Sequence, residues 1–115
     1  MSIQMPAKKP GNSEPYFLVW CAPDGVNNGS ADDRGELQGA EIASVVWDVP
    51  TGITKTDDNT DAVTIQGVNY PTNTVAMIWL EDGTDQVDYE IKCTITTDET
   101  SPRELVETMI VPVRV

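Results

Sequence analysis

A chain of 115 residues is long enough for one domain with its own core, and needs no metal or disulfide staple to hold it. Its 7 basic and 19 acidic residues give a formal net charge of −12, a surface that repels phosphate and argues against direct nucleic-acid binding. Histidine is absent, which removes Ser-His-Asp and Cys-His catalysis, and no run approaches the ~20 apolar residues of a membrane-spanning helix.

Residues 1–15 read as an extended arm, because Pro6, Pro10 and Pro15 remove backbone donors and disfavour helix. With Lys8 and Lys9 against Glu14 the arm is weakly basic, whereas residues 16–115 carry 5 basic and 18 acidic side chains. The arm is expected to be either disordered or docked on a neighbour. It has no apolar core of the kind a secretory signal needs, so synthesis in a cytoplasm is expected. Residues 16–115 then form the folded domain.

Tyr16–Ala22 predicts an apolar strand, ended by the turn-forming Pro23-Asp24-Gly25. Asn27 to Gly39 is a polar, glycine-rich connection, long enough to be a functional loop or an ordered insertion. Ile42–Val49 is the next strand, with Val45, Trp47 and Val49 on one face and Trp47 expected at the centre of the core. Asp57 to Asp61 reads as an exposed acidic bend before a strand at Ala62–Gly67. Thr74–Leu80 follows, with Val75, Met77 and Trp79 on one face and Ala76, Ile78 and Leu80 on the other. Both faces are apolar, so one is either covered by the arm or a loop, or left as a contact surface.

Val87 to Ile95 alternates, Tyr89, Ile91, Cys93 and Ile95 pointing one way and Asp88, Glu90, Lys92 and Thr94 the other. Leu105–Val115 completes a hairpin with it, and Pro112, which cannot donate to a ladder, predicts a sheet edge there. Six strands are countable, no segment has helical periodicity over three turns, and a seventh strand has room in the first loop or the arm. The expected fold is all-β, an immunoglobulin-like antiparallel β-sandwich of about seven strands with an extended N-terminal arm.

Nothing in the chain carries a catalytic or cofactor signature. Cys21 and Cys93 bracket Trp47 as an inter-sheet disulfide would, but Trp47 lies too far from Cys21 for that pattern, and a cytoplasmic product keeps its thiols reduced. Asp57, Asn59 and Asp61 mimic the start of a calcium loop, yet Ala62 stands where the glycine belongs and Val68 where the bidentate glutamate belongs. No glycine-rich phosphate motif is present, and no metal site or cofactor is expected. The reading is non-enzymatic.

Ile42 to Ile53, Val75 to Thr84, and Asp88 to Thr97 before the C-terminal Val-Pro-Val-Arg strand resemble a family of small bacteriophage virion proteins, the fibre-tail adaptors or Ig-like phage structural proteins. The resemblance covers about the last 75 residues, and Lys9-Pro10 before an aromatic segment is similar to the family's opening. Residues 23–39 and the stretch around Val68-Asn69-Tyr70 look longer than in the family, and Asp98 to Pro102 replaces its short glycine turn. The resemblance implies a virion protein in several symmetric copies, made in the bacterial host cytoplasm, that bridges tail or neck components to fibres through protein contacts. Lys8, Lys9, Pro10, Tyr16, Tyr70 and Trp79 are the candidate interaction residues. Two other readings compete: a capsid decoration or head-fibre protein built on the same sandwich, and a carbohydrate-binding adhesion module with Tyr70, Tyr16 and Trp79 as its aromatic platform.

Overall fold

The computed structural model describes residues 2–115; the first residue of the arm, Met1, lies outside the described residues. The chain is all-β and runs β1 (Ser2–Gln4), β2 (Glu14–Val19), β3 (Ile42–Asp48), β4 (Ile53–Asn59), β5 (Val63–Ile65), β6 (Val68–Tyr70), β7 (Val75–Asp82), β8 (Asp88–Thr97) and β9 (Glu104–Pro112). Seven of these strands make two sheets, ordered β1-β9-β8-β3 and β2-β7-β4, and β5 and β6 form a separate hairpin. One hydrophobic core is shared by both sheets, an arrangement compatible with a β-sandwich.

The alternation of β8 is realised residue for residue. Tyr89, Ile91, Cys93 and Ile95 are buried, while Asp88, Glu90 and Lys92 are exposed. Antiparallel pairing with β9 sets Met109 opposite Ile91 and Val111 opposite Tyr89, so both strands of the expected hairpin feed the core. From the other sheet Leu18, Ala76, Ile78 and Leu80 complete it.

The core tryptophan is Trp20, only 2% exposed, and not Trp47. Trp47 lies on the predicted face of β3, which pairs only with β8 at the margin of its sheet, and is half-buried. A register shift between Ile42 and Ser44 adds a residue to β3, which puts Ile42 and Val45 on the same side and ends strict alternation there.

The acidic bend expected at Asp57 to Asp61 is in large part a strand: Ile53–Asn59 pairs with β7, with a register shift between Lys55 and Asp57. Only Ile53 of β4 is buried, so the sequence has almost no hydrophobic period to reveal it; the ladder to β7 holds it in place. The strand expected at Ala62–Gly67 is instead the first half of the β5-β6 hairpin. Gln66 and Gly67 both have positive φ, 49° and 81°, as a two-residue hairpin turn twisted to match its strands requires.

The described residues of the arm up to Lys8 lie along the chain's own four-stranded sheet. Ser2–Gln4 adds to β9 as a parallel strand, and beyond it the Met5 N–H donates to the Ile110 carbonyl and the Lys8 N–H to the Pro112 carbonyl. After Met5 the next donor to β9 is Lys8 and not Ala7, so the ladder slips by one residue across Pro6-Ala7. The edge expected at Pro112 is therefore covered by the arm of the same chain, and the Arg114 N–H returns a bond to the Lys8 carbonyl.

Candidate docking surface

Burial divides the six candidate residues into two groups. Lys8 is fully buried, and its ammonium donates to the carbonyls of Asp82 (2.6 Å) and Lys9 (3.0 Å). Tyr16 and Tyr70 are buried as well, their hydroxyls donating to the carbonyls of Pro6 (3.2 Å) and Pro23 (2.8 Å). Burial, reinforced by the charge of Glu14, raises the Tyr16 hydroxyl to a pKa of about 12. These three side chains hold the arm and the hairpin to the domain. Lys9 is exposed, and Pro10 and Trp79 are partly so. With two of its three aromatics buried, the platform of Tyr70, Tyr16 and Trp79 is not assembled on the surface.

The long connection between β2 and β3 is an ordered insertion. The Asp33 carboxylate accepts the backbone N–H groups of Asn28, Gly29 and Gly35, at 2.9–3.1 Å, and these bonds hold its carboxyl below the usual acidic range. Asn27 bridges across the loop, accepting from the Gly39 N–H and donating to the Ala40 carbonyl. Gly35 lies against the backbone of Cys21 and Ala22, where an added Cβ would stand 2.3 Å from the Ala22 nitrogen. That close approach lets Leu37 enter the core fully buried. Arg103 clamps the same loop from β9's side, its guanidinium donating to the Glu36 and Leu37 carbonyls and to the Glu99 carboxylate.

Accessible apolar surface lies on the outer faces of the sheets. On the four-stranded sheet Val46 and Val106 flank Thr94 in one cross-strand row and are 65% and 51% exposed. On the three-stranded sheet the register aligns Pro15 with Trp79 and Asp57, and Phe17 with Met77 and Asn59. This is the second apolar face of the Thr74–Leu80 segment. Met77 and Trp79 are half-buried there, whereas Ala76, Ile78 and Leu80 face the core.

One border of that face is the free edge of β2. The Trp20 N–H donates to the Thr74 carbonyl and Val19 pairs with Val75, so the ladder to β7 uses residues 14, 16, 18 and 20. The backbone groups of Pro15, Phe17 and Val19 turn outward. A groove of about 350 Å³ runs along this edge, lined by Met5, Pro6 and Ala7 of the arm, Phe17 and Val19 of β2, and Ile65 of the hairpin. Glu14 lies in its wall, and its Oε2 is buried without a hydrogen-bond partner.

Neither cysteine has catalytic character. Both thiols are free and buried, and burial pushes Cys93 up to about 12. Among the described residues no group of acidic or cysteine side chains is placed to hold a metal ion, and no helix is long and apolar enough to cross a membrane. The sequence signal that could have pointed to the groove was the double-sided apolar character of the β2 and β7 segments. Glu14 carried no signal, because its isolation from donors depends on the arm folding back.

No curated protein matches the chain. A family model described as "Podophage GP4 fiber-tail adaptor protein gp77" matches residues 23–112, from the turn after β2 to the end of β9. This range includes the long insertion and the hairpin, the two places where the chain looked enlarged, and it leaves out residues 1–22, which hold the arm and β2, and the C-terminal three residues. The chain belongs to the podophage fibre-tail adaptor family, a family of structural adaptors of the phage particle.

Proposed function

We propose that the chain is a non-enzymatic virion protein at the phage neck or tail, linking tail components to fibres through protein contacts. The family match over residues 23–112 carries this reading. Several symmetric copies per particle, assembled after synthesis in the host cytoplasm, suit such a role, since an adaptor joins rings of tail subunits to multiple fibres. The acidic surface favours protein partners over nucleic acid and discourages self-association off the particle.

The scaffold reading is an immunoglobulin-like sandwich. In its support, β3-β8-β9 and β2-β7-β4 follow the C-F-G and B-E-D orders of such domains. Tyr89, at the start of β8, accepts the Thr84 backbone N–H at 2.9 Å, a bond of the kind made at the tyrosine corner of that fold. Rigid sheets with exposed edges and faces suit a part that must hold two neighbours in fixed relation.

Quantitative mass spectrometry of separated heads and tails from purified particles tests the function. Recovery with tails at tens of copies is expected. Hundreds of copies on heads would replace the adaptor by a decoration protein, and absence from particles would remove the virion role.

A further inference from the structure

The β2 edge combines three features that converge on one kind of ligand. Its outward backbone groups, the N–H and C=O of Phe17 and Val19 and the C=O of Pro15, have no backbone partner among the described residues. Such a row accepts another extended strand. The side chains beside it, Phe17, Val19 and Ile65 with Met5 and Pro6 opposite, form an apolar groove that accepts alternate side chains of that strand. Glu14 Oε2, buried in the groove wall without a donor, calls for a cation or N–H from outside.

We infer that this edge and groove dock an extended segment of a partner virion protein, one that pairs with Phe17 and Val19, seats an apolar side chain in the groove, and sets a lysine or arginine beside Glu14. A second copy of the chain is the poorer occupant. Each copy carries a net charge of −12, so like copies repel, and the one basic extended segment it owns, the arm, is already bonded to β9 with Lys8 sealed inside. Charge complementarity selects a basic partner. Pro15 fits the same edge, since a proline is tolerated where the N–H would face away from the ladder, and it sets the register by leaving Phe17 as the first outward donor. That the partner is a virion protein rests on the adaptor reading above; the edge and the groove do not.

The test has two arms. On the isolated full chain, a peptide alternating valine with lysine is titrated in an NMR experiment against its valine-glutamate counterpart. The lysine peptide is expected to shift the Phe17 and Val19 amides and the glutamate peptide to leave them in place. Glu14→Gln should weaken binding about tenfold, the loss of one charge-assisted hydrogen bond. Val19→Pro removes an outward donor without touching the ladder, and Val19→Lys places a repelling cation on an exposed site; both should abolish binding while the chain melts as the parent does. Shifts confined to β3 or β4, or equal responses to the two peptides, would overturn the site. In particles, a photo-crosslinking side chain at position 19 is expected to capture a stretch of a second virion protein in which apolar and basic residues alternate. Capture of another copy of the chain, or of an acidic segment, would overturn the partner. If the chain is missing from particles, the adaptor reading and its virion partner fall together, and the peptide titration still decides the edge and groove.

Discussion

Two edges of this sandwich, those of β9 and β2, begin from the same liability and are treated in opposite ways. At β9 the chain's own arm supplies a parallel strand, resumes bonding beyond Pro6, and buries Lys8 against the Asp82 carbonyl. Along the outer edge of β2 no strand pairs among the described residues, and the arm's Met5, Pro6 and Ala7 become one wall of a groove instead. The contrast teaches that the arm is a structural part of the domain whose docking creates the open site as a consequence of closing the other edge. An exposed strand edge is a place for contact, because unpaired strand groups invite pairing.

The largest effect is expected beneath the open edge. Trp20 continues β2 into the core and its side chain is buried there, so Trp20→Ala should cost about 3–5 kcal/mol in urea unfolding. Trp47→Ala, at the half-buried margin of β3, should cost about half as much or less. Equal losses would mean that the two tryptophans share the core.

Removing residues 1–8 converts the closed edge into an open one. The ladder bonds of Met5, Lys8 and Arg114 and the Tyr16 to Pro6 bond are lost together, at a cost of about 2–4 kcal/mol. A truncated chain that melts like the parent would show the arm to be a passive wall. Lys8→Met separates the arm's packing from its charge: the ammonium is buried with two carbonyls and no carboxylate, so an apolar residue of similar length should leave stability within about 1 kcal/mol or raise it. A loss beyond about 2 kcal/mol would make those two bonds the lock that closes the edge.

The smallest effect concerns acid. Backbone N–H groups of Gly29 and Gly35 depress the Asp33 carboxyl, and the Arg103 hydrogen bond depresses Glu99. A carboxyl depressed in the folded state stabilises it above the ordinary carboxylate range and loses that contribution as pH falls through the folded value. Thermal melting should therefore be flat from neutral pH down to about pH 5 and decline below about pH 4, and Asp33→Asn with Glu99→Gln should shrink the decline. An unchanged acid profile in the double variant would place acid sensitivity elsewhere, for instance on the open, acidic β4 side.

Legibility in the sequence followed the source of each element's order. The β8 strand could be read from its residues because one face meets the core at every second position, and the apolar double character of β7 announced a second face, covered or left for contact. The β4 strand could not, since ITKTDDN has one buried side chain and takes its conformation from the β7 ladder. Trp47 looked central by type and spacing, but it is half-buried on β3, while the fully buried tryptophan, Trp20, lies just past the end of β2. Tyr16, Tyr70 and Lys8 were readable as important and not as internal, because their partners are carbonyls of Pro6, Pro23 and Asp82 that come near only in the folded chain.

By itself the sequence determined the all-β class, the buried face of β8, the two apolar faces of β7 and the phage-adaptor resemblance, all of which rest on local periodicity and residue type. The tertiary structure decided where the arm goes, which tryptophan is central, and which edge the arm closes. Those outcomes depend on backbone groups pairing between segments far apart in the chain, and a backbone N–H is the same group in every residue but proline.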